Sequence, residues 1–370
     1  MYEKIARNKG IASFKAFNAI CLQDRLSLRA LPNARLIEAF DIHNSFTTTD
    51  EGVHKEFLGR ARSIVDTVDA TAWQGCRELA AKVLKRPELF PEPRVSVQRV
   101  TRVACLHVVL ELLFPTVHAF NIDIDAADSV TDDINWLWLQ SKEHGTAGSP
   151  ATAGLLASLR SRLSDLVPNT ADDPLALIIP AYETLWRVVL LTYVHVAFRR
   201  LDADSKETLS AAVSDLSLEQ MNFSEDVQMF AREALRLYPP TKRIYRADDT
   251  RTLAADVESL HHDPRIWGAN SLEFCPGRFT ALTKPQRDAY MPFGAGTHAC
   301  PAGHGFGSKI ISLLVVALVE RLGTSKHGAR IWFGDERLDG DDSAPLPTGR
   351  DDMEDWMVSP CNDVFLAPSH

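Results

Sequence analysis

Residues 291–310 read MPFGAGTHACPAGHGFGSKI and hold five of the chain's 19 glycines around one thiol, Cys300, with His298 and His304 close by. Gly294 and Gly296 open backbone conformations closed to other residues and let amides approach a ligand. Pro301 favours the first position of a helical turn, so Cys300 is expected near the N-cap of a helix over 308–322 or of a turn leading into it. A helix N-terminus favours the anionic thiolate, and a thiolate on such a loop suits a soft or borderline metal, haem iron included. Two other readings stay open: a free buried cysteine in a connector, and a zinc site from His298, Cys300 and His304, which lacks a second nearby cysteine.

Three further groupings carry chemistry. In Pro180-Ala181-Tyr182-Glu183-Thr184-Leu185, Pro180 deprives the Ala176 carbonyl of its helical partner and is expected to kink the helix. Thr184 is placed to bond back to the Pro180 carbonyl. An opening there, beside an acid and an alcohol, suits dioxygen, water and a proton route; the plainer reading pairs Glu183 with Arg187 one turn on. Glu233 and Arg236 share a helix face, which alone gives an ordinary surface pair. Asp132-Asp133 begins a weak metal-binding pattern whose final aspartate is replaced by Asn135.

Phe293-Gly-Ala-Gly296-Thr-His298-Ala-Cys300 resembles the haem-binding loop of the cytochromes P450, F-x-x-G-x-[R/H]-x-C-x-G. The resemblance implies that Cys300 is the axial thiolate ligand of the iron, that Phe293 shields it and that His298 reaches a haem propionate. The family's last glycine falls on Ala302; one inserted residue gives the role to Gly303 and aligns Phe306-Gly307 with the usual aromatic–small pair. Glu233-Ala-Leu-Arg236 resembles the family's E-x-x-R, and Pro276-Gly-Arg278-Phe279 its later P-x-R-F. This implies a buried network of Glu233, Arg236 and Arg278. Arg246 stands where the family often binds a propionate, and His54 resembles a residue contacting the other, although Leu58 replaces the arginine expected next to it. Glu183 and Thr184 match the acid and first alcohol of A-G-x-[D/E]-T-[T/S]; Leu185 replaces the second. The resemblance runs over roughly 37–365 and is closest to fungal members in style.

Such a member implies haem b, electrons from NADPH through a separate reductase, and oxygen insertion into a small hydrophobic molecule, a terpenoid or polyketide-derived secondary metabolite being the family analogy. A peroxygenase, a redox-neutral isomerase, dehydratase or cyclase, and a degenerate non-catalytic relative are the alternatives. The expected pocket walls are Phe40, Ile42 and Phe46, then Ile178, Tyr182 and Leu185, then Thr241 and Lys242.

The elements that must position these groups are mostly helical. Apolar spacing predicts one or two helices over 53–85 and others near 95–114, 132–143, 153–166, 173–200 and 227–238, with short strands and turns from 241 to 300. The fold expected is mainly α with a small β component, a cytochrome P450 fold trimmed at its N-terminus. It forms one domain over 1–370, with an atypical segment at 1–35 and a surface excursion at 334–352. Glu183 and Arg187 inside the longest apolar run argue for a core helix rather than a membrane span. The opening residues have no apolar signal. Six scattered cysteines fit a reducing compartment. A net charge of −9 gives no overall attraction to nucleic acid. Together these predict a soluble, cytoplasmic protein with no membrane anchor.

Overall fold

Three helices are apolar on nearly every face, and burial is the only stable place for such helices. They are α4 (Val97–Leu113), α8 (Leu185–Phe198) and α11 (Phe306–Leu322), and they pack on one another at the centre of a computed structural model that describes residues 2–4, 25–142, 150–168, 170, 173–247 and 252–361. Cys21 and most of the 1–35 segment lie outside the described residues, as does most of the small-residue loop expected at 142–154.

Around this centre lie α1 (Ala34–Phe40), α2 (Glu51–Thr67), α3 (Ala70–Val83), α5 (Ile124–Gln140), α6 (Pro150–Leu166), α7 (Leu175–Tyr182), α9 (Ala203–Asp215) and α10 (Glu225–Leu237). The helical run expected over 53–85 is two helices because Asp69 caps a new start, accepting from the Ala72 N–H. Pro239-Pro240 ends α10 as expected. Strands form two small sheets. In one, β4 (Thr252–Asp256) lies between β1 (Tyr2–Lys4), parallel to it, and β3 (Arg243–Ala247), antiparallel, with Arg246 opposite Leu253. In the other, β6 (Met357–Ser359) is flanked by β2 (Val95–Ser96) and β5 (Arg330–Trp332).

The run Leu175–Phe198 has the length and hydropathy of a membrane span, and 72% of its most apolar window is buried inside the protein, as expected of a core helix. It is also interrupted: α7 stops at Tyr182 and α8 starts at Leu185. The carbonyl that Pro180 strands is not left bare, since Asn44 Nδ2 donates to Ala176 O at 2.9 Å. The segment 334–352 is not purely a surface excursion. Its aspartates are mostly exposed, while Leu338, Leu346 and Arg350 turn into the protein.

Candidate haem-thiolate site

A cavity of about 590 Å³ opens between α7–α8, β3 and the cysteine loop, a size common for small-molecule sites. Cys300 lines it. The loop is built as its glycines demand: φ is +74° at Gly294 and +72° at Gly296, and the Cys300 N–H closes onto Phe293 O at 2.9 Å. Cys300 heads a short 3-10 turn, Pro301–Gly303, and Gly305 starts α11 at φ +102°. The thiol therefore sits at the turn before the long helix. Burial raises its pKa, and the Ala302 N–H and Arg29 offset that only in part.

The Phe293 ring lies over Gly303 and Gly307, and a Cβ on Gly307 would come within 2.8 Å of Phe293 Cε1. This packing favours the alignment with one inserted residue, in which Gly303 and Gly307 take the small positions. The zinc reading loses ground: no cluster of three His, Cys, Asp or Glu side chains suited to a metal occurs among the described residues.

Arg246 and His298 line the cavity beside Cys300. His54, the one buried residue of α2, stands behind them, its ring 5.3 Å from that of His298. Sequence reasoning missed Arg29. It lines the cavity, donates to Ser45 Oγ at 3.0 Å and lies 4.4 Å over the Phe46 ring. Ser45 Oγ in turn is hydrogen-bonded to His54 Nδ1 at 2.8 Å. Burial, then Arg246, push Arg29 down to about 10, while Cys300 pulls it up. Burial and Arg29 also hold His54 below the usual histidine value, hence neutral. Two arginines crowded around one thiol form a cationic set, complementary to an anionic group with two carboxylates and a thiolate-seeking metal. These donors fit haem. Arg29 carries no motif, so only its spatial contacts reveal it.

Glu233, Arg236 and Arg278 form the expected buried network. Arg236 Nε and Arg278 Nε donate to the two Glu233 oxygens at 2.7 and 3.0 Å. Arg236 also donates to the carbonyls of His261 and Ser271, each at 2.7 Å, and the Cys275 N–H donates to Glu233 at 2.9 Å. Neutral His261, pushed down to about 3 chiefly by burial, donates from Nδ1 to Arg236 O and accepts the Met291 N–H on Nε2. It therefore ties the network to the start of the cysteine loop.

Across the cavity, Glu183 and Thr184 both line the wall. Glu183 does not pair with Arg187, which instead donates to Pro240 O at 3.1 Å. Its partner is Arg350, and both side chains are buried. Arg350 also donates to Asn135 Oδ1 at 2.7 Å and lies between Trp138 and Trp186. The bond expected from Thr184 to Pro180 O is not formed; the hydroxyl is left to the cavity. Of the expected pocket walls, Ile42, Phe46, Leu185, Thr241 and Lys242 line the cavity. Phe40, Ile178 and Tyr182 do not: all three are fully buried in the core. Ile178 and Tyr182, four residues apart, share the helix face turned away from the cavity, while Ile179, Pro180 and Glu183 face it. Asp132 and Asp133 pair with Arg102 and Arg162, so they are ties to neighbouring helices rather than metal ligands.

The cytochrome P450 family model matches residues 190–337, from within α8 through the Glu233 network and the cysteine loop. Similar proteins include the flavonoid-6-hydroxylase of Ocimum basilicum, 33% identical over 36% of this chain and 27% of that one, and the taurochenodeoxycholic 6 alpha-hydroxylase of Sus scrofa, 32% identical over 31% and 24%. The matched region spans about a quarter of the length of these curated relatives. The fold likeness reaches further. A six-coordinated cytochrome P450 of Thermus thermophilus superposes with a TM-score of 0.58 at 15% identity, over 81% of this chain and 80% of that one. The cytochrome P450DA haem domain gives 0.60 at 15%, over 83% and 79%. Residues 190–337 thus match the cytochrome P450 family model, and the fold over most of the chain is that of cytochromes P450.

Proposed function

We propose that this chain is a haem-thiolate monooxygenase acting on a small, largely apolar molecule. The observation that carries the proposal is one cavity holding a lone thiol, Cys300, on a glycine-built loop, with Arg29, Arg246 and His298 beside it. Cys300 would hold the iron, and Arg29, Arg246 and His298 the propionates. Haem bound there supplies oxygen activation, with electrons from NADPH through a separate reductase. Phe293 shields the thiolate from water, and Thr184 offers a hydroxyl at the opposite wall to hold a proton near the reacting oxygen. A reducing, cytoplasmic setting agrees with the unpaired Cys76, Cys105, Cys275, Cys300 and Cys361.

The test is the absorption spectrum of the reduced, haem-loaded protein under carbon monoxide. Thiolate ligation gives the red-shifted band, and Cys300→Ser is expected to lose it while Cys361→Ser keeps it. An unchanged band in Cys300→Ser ends this reading. Two observations favour a second class: Glu183 is tied to Arg350, and Leu185 stands where a second hydroxyl would be. Both weaken a proton route and suit a peroxygenase or a redox-neutral isomerase, dehydratase or cyclase. Product formed without NADPH, reductase or oxygen would establish that class. A chain that takes up no haem would instead be a non-catalytic relative.

A further inference from the structure

Part of the cavity lining is charged in a way that oxygen chemistry does not require. Among the described residues, Glu183 is the one carboxylate lining the cavity, and Arg350 neutralises it. Arg35, Lys142 and Arg187 line the same wall. Arg35 and Arg350 share the Trp138 ring, at 4.7 and 5.6 Å. Arg187 has a buried Nε with no hydrogen-bond partner, and Lys142 has no carboxylate within ion-pair distance among the described residues. This concentration of positive charge sits in a protein with 49 acidic residues against 40 Lys and Arg.

We infer that the substrate is an amphipathic carboxylic acid whose carboxylate is held by Lys142, Arg187 and Arg35 while its apolar body runs past Ile42 and Leu185 toward Cys300. The inference rests on the cavity being the substrate site proposed above and adds the class of substrate. A guanidinium with an unused donor matches a carboxylate in geometry as well as charge. Lys142 is exposed at the edge of the lining and Arg187 lies deeper; Asp351 and Glu258 offset their charges only in part, and an anionic ligand between them would complete that compensation on binding. The cationic set at Cys300 is separate. Arg29 acts there on Arg246 and Cys300, whereas Lys142 is acted on by Arg350, Arg35 and Arg187.

The experiment is calorimetric binding to the haem-loaded full chain, using matched acids and methyl esters of three shapes: dodecanoic, 2-naphthylacetic and abietic. At least one acid is expected to bind tenfold or more tightly than its ester. Lys142→Gln is expected to reduce that preference, and the double variant with Arg187→Gln to abolish it, with ester affinity and haem content unchanged. No acid preference in any pair overturns the inference. So does a preference that survives in the double variant, or variants that lose haem instead, which would assign these cations to the cofactor. Failure of the monooxygenase reading is seen separately, in the carbon monoxide spectrum. An acid preference that persists without that spectrum leaves the carboxylate site standing and removes the proposed chemistry.

Discussion

Two buried carboxylates, Glu183 in the cavity wall and Glu233 outside the cavity lining, are satisfied very differently. Glu233 receives two arginines and a backbone N–H, and its partner Arg236 spends its remaining donors on carbonyls. Glu183 has Arg350 as its charged partner, and Arg350 Nε has no hydrogen-bond partner among the described residues. The first network pins backbone from three segments and has no apolar equivalent. The second is a single long-range pair wedged between tryptophans, the kind of buried pair that gains little over well-packed apolar groups. One is scaffold; the other is adjustable wall.

The largest expected effect follows from that difference. Glu233→Ala leaves Arg236 and Arg278 buried without their acid, a loss of about 3–5 kcal/mol, read as little folded, haem-loaded protein on expression. A well-folded, fully loaded Glu233→Ala protein would show the network to be dispensable. At the other carboxylate, Glu183→Leu and Arg350→Met are each expected to cost about 3–5 kcal/mol in denaturant unfolding, because each strands the other's charge. The double variant is expected to recover most of that loss. If the double variant is as unstable as the sum of the singles, the pair is scaffold too and the contrast fails.

A smaller effect sharpens the comparison on the Cys300 side. Gly307 has ordinary helical geometry, so its lack of a side chain makes room chiefly for the Phe293 ring and, at 3.3 Å, for the Ala302 carbonyl. Gly307→Ala must push that ring off the thiol's loop, at about 1–3 kcal/mol, and is expected to shift the haem absorption. Gly75→Ala, at a position where an added Cβ meets nothing within 4 Å, is the control and is expected to change neither.

The same contrast explains what is legible in the sequence. Cys300, Phe293, Gly303, Glu233, Arg236 and Arg278 lie in short motifs whose spacing fixes their meeting, and the structure brings them together. The core helices are readable because they are apolar over long runs. The acid–alcohol pair is readable too, but its partner is not. Local spacing offers Arg187 one turn away, while Arg350 arrives from a tail whose aspartates mark it as surface. Arg29 and Asn44 likewise act on residues distant in sequence, and nothing near them announces a role. The helix phase misleads at Ile178 and Tyr182, because the break after Tyr182 sets which face meets the cavity.

The smallest effect separates the adjustable wall from the scaffold by pH. Burial, then Arg350, Arg35 and Arg187, push the Lys142 ammonium down to about 8, and Asp351 pulls it up. An unfolded lysine titrates near ~10.4, so between about 8 and 10 the unfolded chain binds more protons at this residue than the folded one. Stability from this residue therefore rises with pH across that window, as the crowded ammonium loses its charge. Affinity for a carboxylate changes in the opposite sense, falling as the pH passes through about 8, because the neutral amine no longer attracts it. Wild type and Lys142→Gln, compared at about pH 7 and about pH 9 by thermal unfolding and by acid binding, give both signs. Wild type is expected to gain stability relative to the variant and to lose its advantage in acid binding. A parallel change in the two readouts, or none in either, would mean that Lys142 stands free of the cluster and takes no part in holding an anion.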